Sequence, residues 1–581
     1  MVPDKRRWVS PALAVITGLC FLPLTLYPIP SADLWWLLAE GRWIVAHGQL
    51  PTEDPFSYTA GNQIWHNDQW LCSLLAYALY LARGVLGLQV GKIALLCCTF
   101  SLAVGGARRA HQTRWISAVL AGLWCCSAAS GNFFFDVRAY LWTYFFMVAW
   151  WCWLDSHEKT PLWWFGATAV LWSNLHAGVS GGLLLLGLAW IGKALQRRDN
   201  RRDAARLGVA FLGSLINPSG PQLLLHALRL LGSDWGRYLN EWQPIWSHPR
   251  LFYPYVLFLT MTLVLLPFQV KDWRRFPLLG IALLSITGWR HIPLFCWLAI
   301  GLWARWIDRV LPALPRSLIT AVTLGWLGWS GWLLGQTSLA GLSLEDRMFP
   351  RWACDFLESN HLGPRLFHPY GVGGYLLFRL APNYQVAIDG RAAQVYPVAA
   401  YLDYLRADQR PADFERFARE HHVQTVLTFA NPRQREVGPQ IIDKNPAWKR
   451  VYQDGQFNVY VPTSIDTSHL HHPDNPMNLC QQADEHPARA LELVDEALRL
   501  EPGYASALFM KGSLLLRAGD SAGAGWIEKA LAADPLLANA HLNLAIFYRQ
   551  SDPKRARREA LAELELDPGN ETARRLFSEL R

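Results

Sequence analysis

Apolar residues come in blocks along the first three-fifths of the chain and in shorter, polar-punctuated patterns along the rest. The blocks fall at roughly 9–28, 88–106, 115–131, 139–154, 161–174, 178–192, 205–217, 251–269, 276–288, 291–304 and 314–335. They are separated by short basic or aromatic-polar stretches. Such blocks predict a polytopic α-helical membrane domain of about eleven spans over residues 1–340. A long first outer loop covers 29–87, and within it the run 70–84 is read as a helix lying at the membrane surface. The first block follows Lys5-Arg6-Arg7 without a small-x-small cleavage site, so it is read as a retained span.

Beyond the last block the pattern changes twice. Residues 345–462 alternate helix-like and strand-like pieces, with Thr425 to Phe429 as a strand and Val451 to Tyr460 as a hairpin turning at Asp454-Gly455. A small α/β domain is expected there. Residues 463–483 form a polar linker. From 484 to 581, Glu501-Pro502, Asp534-Pro535 and Asp567-Pro568 recur every 33 residues, each after an Ala/Leu-rich helical stretch. This predicts a domain of stacked helix pairs and resembles tetratricopeptide repeats. The glycines Gly371, Gly373 and Gly374 lack the Lys-Ser/Thr ending of a phosphate loop and are read as close packing.

Composition agrees with a lipid-embedded first half. Of 581 residues, 52% are hydrophobic and 17% charged, with 30 Trp, against about 25% charge in an ordinary globular chain. The net charge of +8 comes from Lys and Arg at block ends rather than from a nucleic-acid-binding patch, and no nucleic acid is expected. The ten Cys show no metal-ligand spacing. Only Cys354 and Cys480 lie in the polar half.

The basic residues also suggest an orientation. Lys5-Arg6-Arg7, Arg108-Arg109-Arg114, Lys159, Lys193 to Arg202, Lys271-Arg274-Arg275 and Arg305-Arg309 gather on one side. The positive-inside bias then predicts a bacterial inner-membrane protein with a cytoplasmic amino terminus and periplasmic carboxyl-terminal domains.

On the opposite side the loops carry Asp33, Glu53, Asp54, His66, Asp68, Asp136, Arg138, Asn174, His176, Asn217, Glu241, Arg290 and His291. Ionisable groups near membrane depth are costly unless paired or functional. Carboxylates there could activate a hydroxyl or hold a divalent cation, and Arg and His could hold a phosphate. No nucleotide-binding, kinase, zinc-protease or serine-hydrolase motif accompanies them.

Residues 9–335 resemble the GT-C class of polyprenyl-phosphate-dependent glycosyltransferases. The likeness rests on Asp33-Leu34-Trp35-Trp36, Gly48 to Ser57, Asn174-Leu175-His176-Ala177-Gly178, Gly373-Gly374-Tyr375-Leu376 and Asp389-Gly390-Arg391. The class implies transfer of a sugar from a lipid-phosphate carrier to an acceptor at the periplasmic face. Asp33, Glu53, Asp54 and Asp136 would be the catalytic carboxylates, with Asp33 activating the acceptor. Arg138, His176, Arg290 and His291 would bind the carrier phosphate, with His66, Asp68, Asn174, Asn217 and Glu241 as further candidates. Partners would be the lipid-linked donor, membrane lipids and a peptide held by 484–581. The metal is open: no cofactor is demanded by a motif, and Mg or Mn would suit the carboxylates. The alternative is a non-catalytic envelope scaffold or transport component of the same architecture.

Overall fold

The computed structural model describes residues 11–26, 29, 32–60, 64–65, 67–130, 135–155, 160–231, 233–313, 349–430, 442–454, 456–535, 537–567 and 569–580. The chain divides into two compact units. The first is Met1–Phe349 with Tyr370–Ala407 and Ala412–His422; the second is Pro350–Pro369, Asp408–Pro411 and Val423–Arg581.

In the first unit the apolar blocks do become helices, but short ones. Pro11–Phe21 has 11 residues, Leu162–Leu175 14, Arg275–Thr287 13 and Val179–Leu195 17. At about 1.5 Å per residue, helices of that size reach about 17 to 26 Å, short of the roughly 30 Å hydrocarbon layer. Among the described residues two helices are long and apolar enough to cross a membrane, Trp70–His111 and Phe252–Gln269. The longer one breaks at Arg83 and Gly84, where Gly84 takes φ +59°, a backbone region that favours glycine. The expected span 314–335 lies outside the described residues.

This overturns the eleven-span polytopic fold, and with it the inner-membrane placement, the assigned sidedness and the membrane-lipid partners. The physical reason is that an apolar run of 10–17 residues suits a helix packed against other helices as well as one in lipid. Here the runs pack on each other. Every residue of Ile292–Val310 from Ile292 to Ala304 is buried, as expected of a helix apolar on all sides. Gly213 of Arg201–Ser214 lies so close to Leu162–Leu175 that an added Cβ would come 2.5 Å from the Gly166 carbonyl. Tryptophans in the interior find hydroxyl partners: Trp150 donates to Thr168 (2.9 Å), Trp172 to Thr143 (3.1 Å) and Trp303 to Thr262 (3.0 Å). Several block-end cations are ion-paired as well. Lys193 Nζ lies 2.7 Å from Asp203, Arg206 2.9 Å from the same carboxylate, and Arg114 2.9 Å from Asp308.

The second unit contains a mixed sheet whose strands lie in the order Arg365–Phe367, Thr425–Phe429, Phe457–Pro462, Trp448–Gln453. The first pair is parallel and the others antiparallel, with Thr428 opposite Asn458. Asp454 shapes the hairpin by accepting from the backbone N–H of Gln456 (3.0 Å) and Phe457 (2.8 Å). Cys354 and Cys480 are both free thiols.

The tail is helical from Pro476 to Glu579. Asn475 caps its first helix through a reciprocal pair with Asn478. Ala505–Arg517 and Gly523–Ala533 meet at two glycines, since a Cβ on Gly512 would lie 2.7 Å from the Gly523 carbonyl.

Candidate functional site

The polar residues of the first unit are organised around Asp33–His47. Asp33 is the first residue of this helix, where a carboxylate is favoured by the helix dipole. The helix is held from the far end of the unit. Gly374 of Gly373–Leu380 packs so that a Cβ would come 2.6 Å from the Ala32 carbonyl. Arg42 donates to the Ala381 carbonyl (3.1 Å). Residues 56–58 also pair with Val386, Tyr58 N donating to its carbonyl (3.2 Å) and Val386 N to that of Phe56 (3.1 Å). Gly390 is thereby brought against Asp33, where a Cβ would lie 2.3 Å from Oδ1.

Four charged side chains gather beside this helix terminus. Arg138 Nη1 is 3.2 Å from Asp33 Oδ2 and 3.2 Å from Glu241 Oε2, and Arg290 Nη1 is 3.9 Å from Glu241 Oε1. Their side chains remain 24–40% exposed. Arg290 lies over the Trp242 ring at 4.3 Å and Arg138 over Tyr140 at 5.8 Å. Burial pushes the Asp33 carboxyl above its ordinary range, against the pull of Arg138. Asp136 is buried and accepts from the Val137 N–H (2.7 Å); burial raises it too, opposed by Arg138.

The turn after Leu162–Leu175 meets Tyr140–Asp155, the helix that follows Arg138 in the chain, at Thr143. His176 Nδ1 accepts from the Gly178 N–H at 3.0 Å and sits 2.8 Å from Thr143 Oγ1. With Nδ1 accepting, the neutral ring carries its proton on Nε2. Burial, reinforced by Arg290, pushes His176 down to about 3, and the same causes take His291 to about 3. Both are therefore neutral and offer hydrogen bonds rather than charge. Asp68 is buried and takes the Ala177 N–H on Oδ2 (3.2 Å). Burial raises it to about 6, with the Ala177 N–H, its own backbone N–H, the Gln69 side chain and, last, the charge of Arg290 acting the other way.

Other candidates have structural duties. Asp54 accepts from Phe56 N (3.0 Å) and from Arg391 Nη1 (2.6 Å). Arg391 also binds Asp389 (2.6 Å) and lies over Trp65 (4.8 Å), while Tyr396 donates to Asp389 (2.5 Å). Asn174 takes the Trp70 indole N–H (2.9 Å) and donates to the carbonyls of Val170 and Ile216. Asn217 folds its own turn by donating to Ser214 (2.8 Å) and Gly220 (3.1 Å) carbonyls. Glu53 forms an isolated bridge with Ile64. His66 lies outside the described residues.

Glu40, which the sequence places on an amphipathic helix and not among the site candidates, is fully buried and accepts from Ser73 Oγ (2.8 Å) and from Asn67. Burial raises it to about 7. The signal was a lone glutamate among apolar residues at 34–39 and 43–45. Trp242 was not singled out as the platform under Arg290, because stacking of residues 48 apart leaves no local pattern.

Among the described residues no group of three or more His, Cys, Asp or Glu is placed to hold a metal ion. With only two helices fit to cross a membrane, this overturns the expected membrane glycosyltransferase and its lipid-linked donor, and the scaffold alternative loses the same architecture. No family model matches the chain, and no curated protein matches it. The likeness to GT-C transferases therefore does not stand, nor does the tetratricopeptide assignment of the tail with the peptide partner it implied.

Proposed function

We propose that the first unit is a binding module for a small molecule bearing an oxyanion, a phosphate monoester or a carboxylate, received by Arg290. The observation that carries this reading is the position of that guanidinium. At 3.9 Å from Glu241 it is beyond hydrogen-bond reach of its counter-ion. It is partly exposed, with its central carbon 4.3 Å from the centre of the Trp242 ring, and a guanidinium offers a fork of donors that suits an oxyanion bidentately. Arg138, held at 3.2 Å by two carboxylates, positions the cluster rather than competing for the ligand. His176 and His291, being neutral, add donors without adding charge that would draw in anions indiscriminately.

Titration calorimetry with ethyl phosphate and with propionate tests this. The wild type binds at least one of them, and Arg290→Gln weakens it by about tenfold or more, the loss of a charge-assisted bidentate contact. Ethylammonium does not bind. Equal affinities in wild type and Arg290→Gln, or no binding of either anion, would sink the reading.

A further inference from the structure

The helix Pro249–Gln269 is anchored along one side. Phe252, Phe258 and Leu266 are buried, Tyr255 shares a hydrogen bond with Ser285 (2.5 Å), and Thr262 accepts the Trp303 indole N–H (3.0 Å). The other side carries Tyr253, Val256, Leu257, Met261, Val264 and Phe268, with exposures from 37% at Met261 to 71% at Tyr253. Their spacing of three and four residues makes one continuous stripe, about 22 Å from end to end at 1.5 Å per residue. From 251 to 269 the chain holds no charged residue. An exposed apolar stripe of this size marks a contact with another apolar surface.

Symmetry and area say which surface. Tyr253 and Phe268, Pro254 and Pro267, Leu257 and Val264, and Thr260 and Met261 stand at equal distances on either side of the point between 260 and 261. A two-fold axis through that point, perpendicular to the helix, lays the stripe antiparallel on its own copy. Each member then meets its counterpart, aromatic on aromatic at both ends and aliphatic on aliphatic between them. Because the stripe is uncharged, facing itself sets no like charges opposite each other. The six exposed side chains present about 700 Å² together, close to the roughly 800 Å² per partner of a stable interface. We infer that this stripe is the contact face of a symmetric dimer. A second copy of the chain lies antiparallel along Pro249–Gln269, with Tyr253 on the partner's Phe268 and Leu257 on the partner's Val264. The inference is independent of the oxyanion-binding reading.

Sedimentation velocity of the full chain across about 1–100 μM tests this. The wild type should sediment as two copies, since a two-fold contact closes at two. Leu257→Glu and Val264→Lys each set a charge against an apolar side chain of the other copy, and each should weaken the dimer at least about tenfold. Combined in one chain they should restore most of the loss, because each new carboxylate then faces a new ammonium. Damage to the fold would not be repaired by a second charge, so this recovery reports the register itself. Leu228→Glu, at an exposed position on Gln222–Leu231, should leave the dimer unchanged. A wild type that stays a single chain overturns the inference and leaves the stripe to an apolar partner of another kind. Association that grows past two copies overturns it, as do single variants that dimerise like wild type. A double variant no tighter than the single ones, or a Leu228→Glu chain as weak as they are, overturns it too.

Discussion

Arg391 is fully buried and donates to both Asp54 and Asp389, so three charges share one dry site. Burial pushes Asp389 upward, but Arg391 and the Tyr396 hydroxyl outweigh it and hold the carboxyl below its ordinary range. Removing only the cation strands two buried carboxylates. Arg391→Met should therefore cost about 3–5 kcal/mol, measured by urea denaturation, and a loss under about 1 kcal/mol would show that the site rehydrates freely. Glu40 behaves oppositely. Its folded value is raised from 4.5 to about 7, so the proton it holds stabilises the fold at low pH, and that stabilisation fades as pH rises through about 7. Glu40→Gln keeps an acceptor for Asn67 and a partner for Ser73 without the charge. At pH 8 it should gain up to about 3 kcal/mol over wild type, and a destabilised variant at that pH would contradict the assignment.

Between elements, close approach at glycine decides the packing. Gly213 seats Arg201–Ser214 against Leu162–Leu175, and a methyl there would meet backbone rather than a side chain that can turn aside. Gly213→Ala is expected to cost about 1–3 kcal/mol, read as a lowered urea midpoint, whereas Gly208→Ala on the same helix meets open space and should be neutral or better. Helix positions were legible in the chain because blocks of apolar residues bounded by Pro, Gly and charge mark where helices begin and end. The strand Thr425–Phe429 and the Asp454 turn were legible for the same local reason. What covers each helix was not. A run such as Ile292 to Ala304 reads alike whether its neighbours are lipid tails or the side chains of Trp115–Ser130, because both are apolar.

Over the whole molecule, buried carboxyls set a pH profile. Asp389 contributes stability that is present above the ordinary carboxylate range and lost as pH falls below it. Asp68, raised to about 6, and Glu40, raised to about 7, contribute stability that is lost as pH rises from about 4 through those values. His176 and His291, held down to about 3, work the other way and lose stability as pH falls below about 6.5. The carboxyl contribution is therefore read as a difference: Glu40→Gln should lack the part of the wild type's profile that declines between about pH 5 and 7. Urea series from pH 3 to 9 on both proteins check this, and parallel profiles would count against the raised Glu40. Of the candidate site, Asp33, Arg138, Glu241, Arg290 and Asp68 could be picked from the chain as rare charges in apolar surroundings. Their division of labour could not: Asp54 serves Arg391, and Asn174 and Asn217 fasten backbone. Where helices form, and which charges are too costly to bury unpaired, can be read along the chain, since both follow from short-range periodicity and the cost of desolvation. Which charges pair, and whether an apolar helix faces its own kind, came from the fold alone. Those outcomes depend on contacts between residues such as 33 and 138, or 54 and 391, whose separation along the chain carries no trace of their meeting.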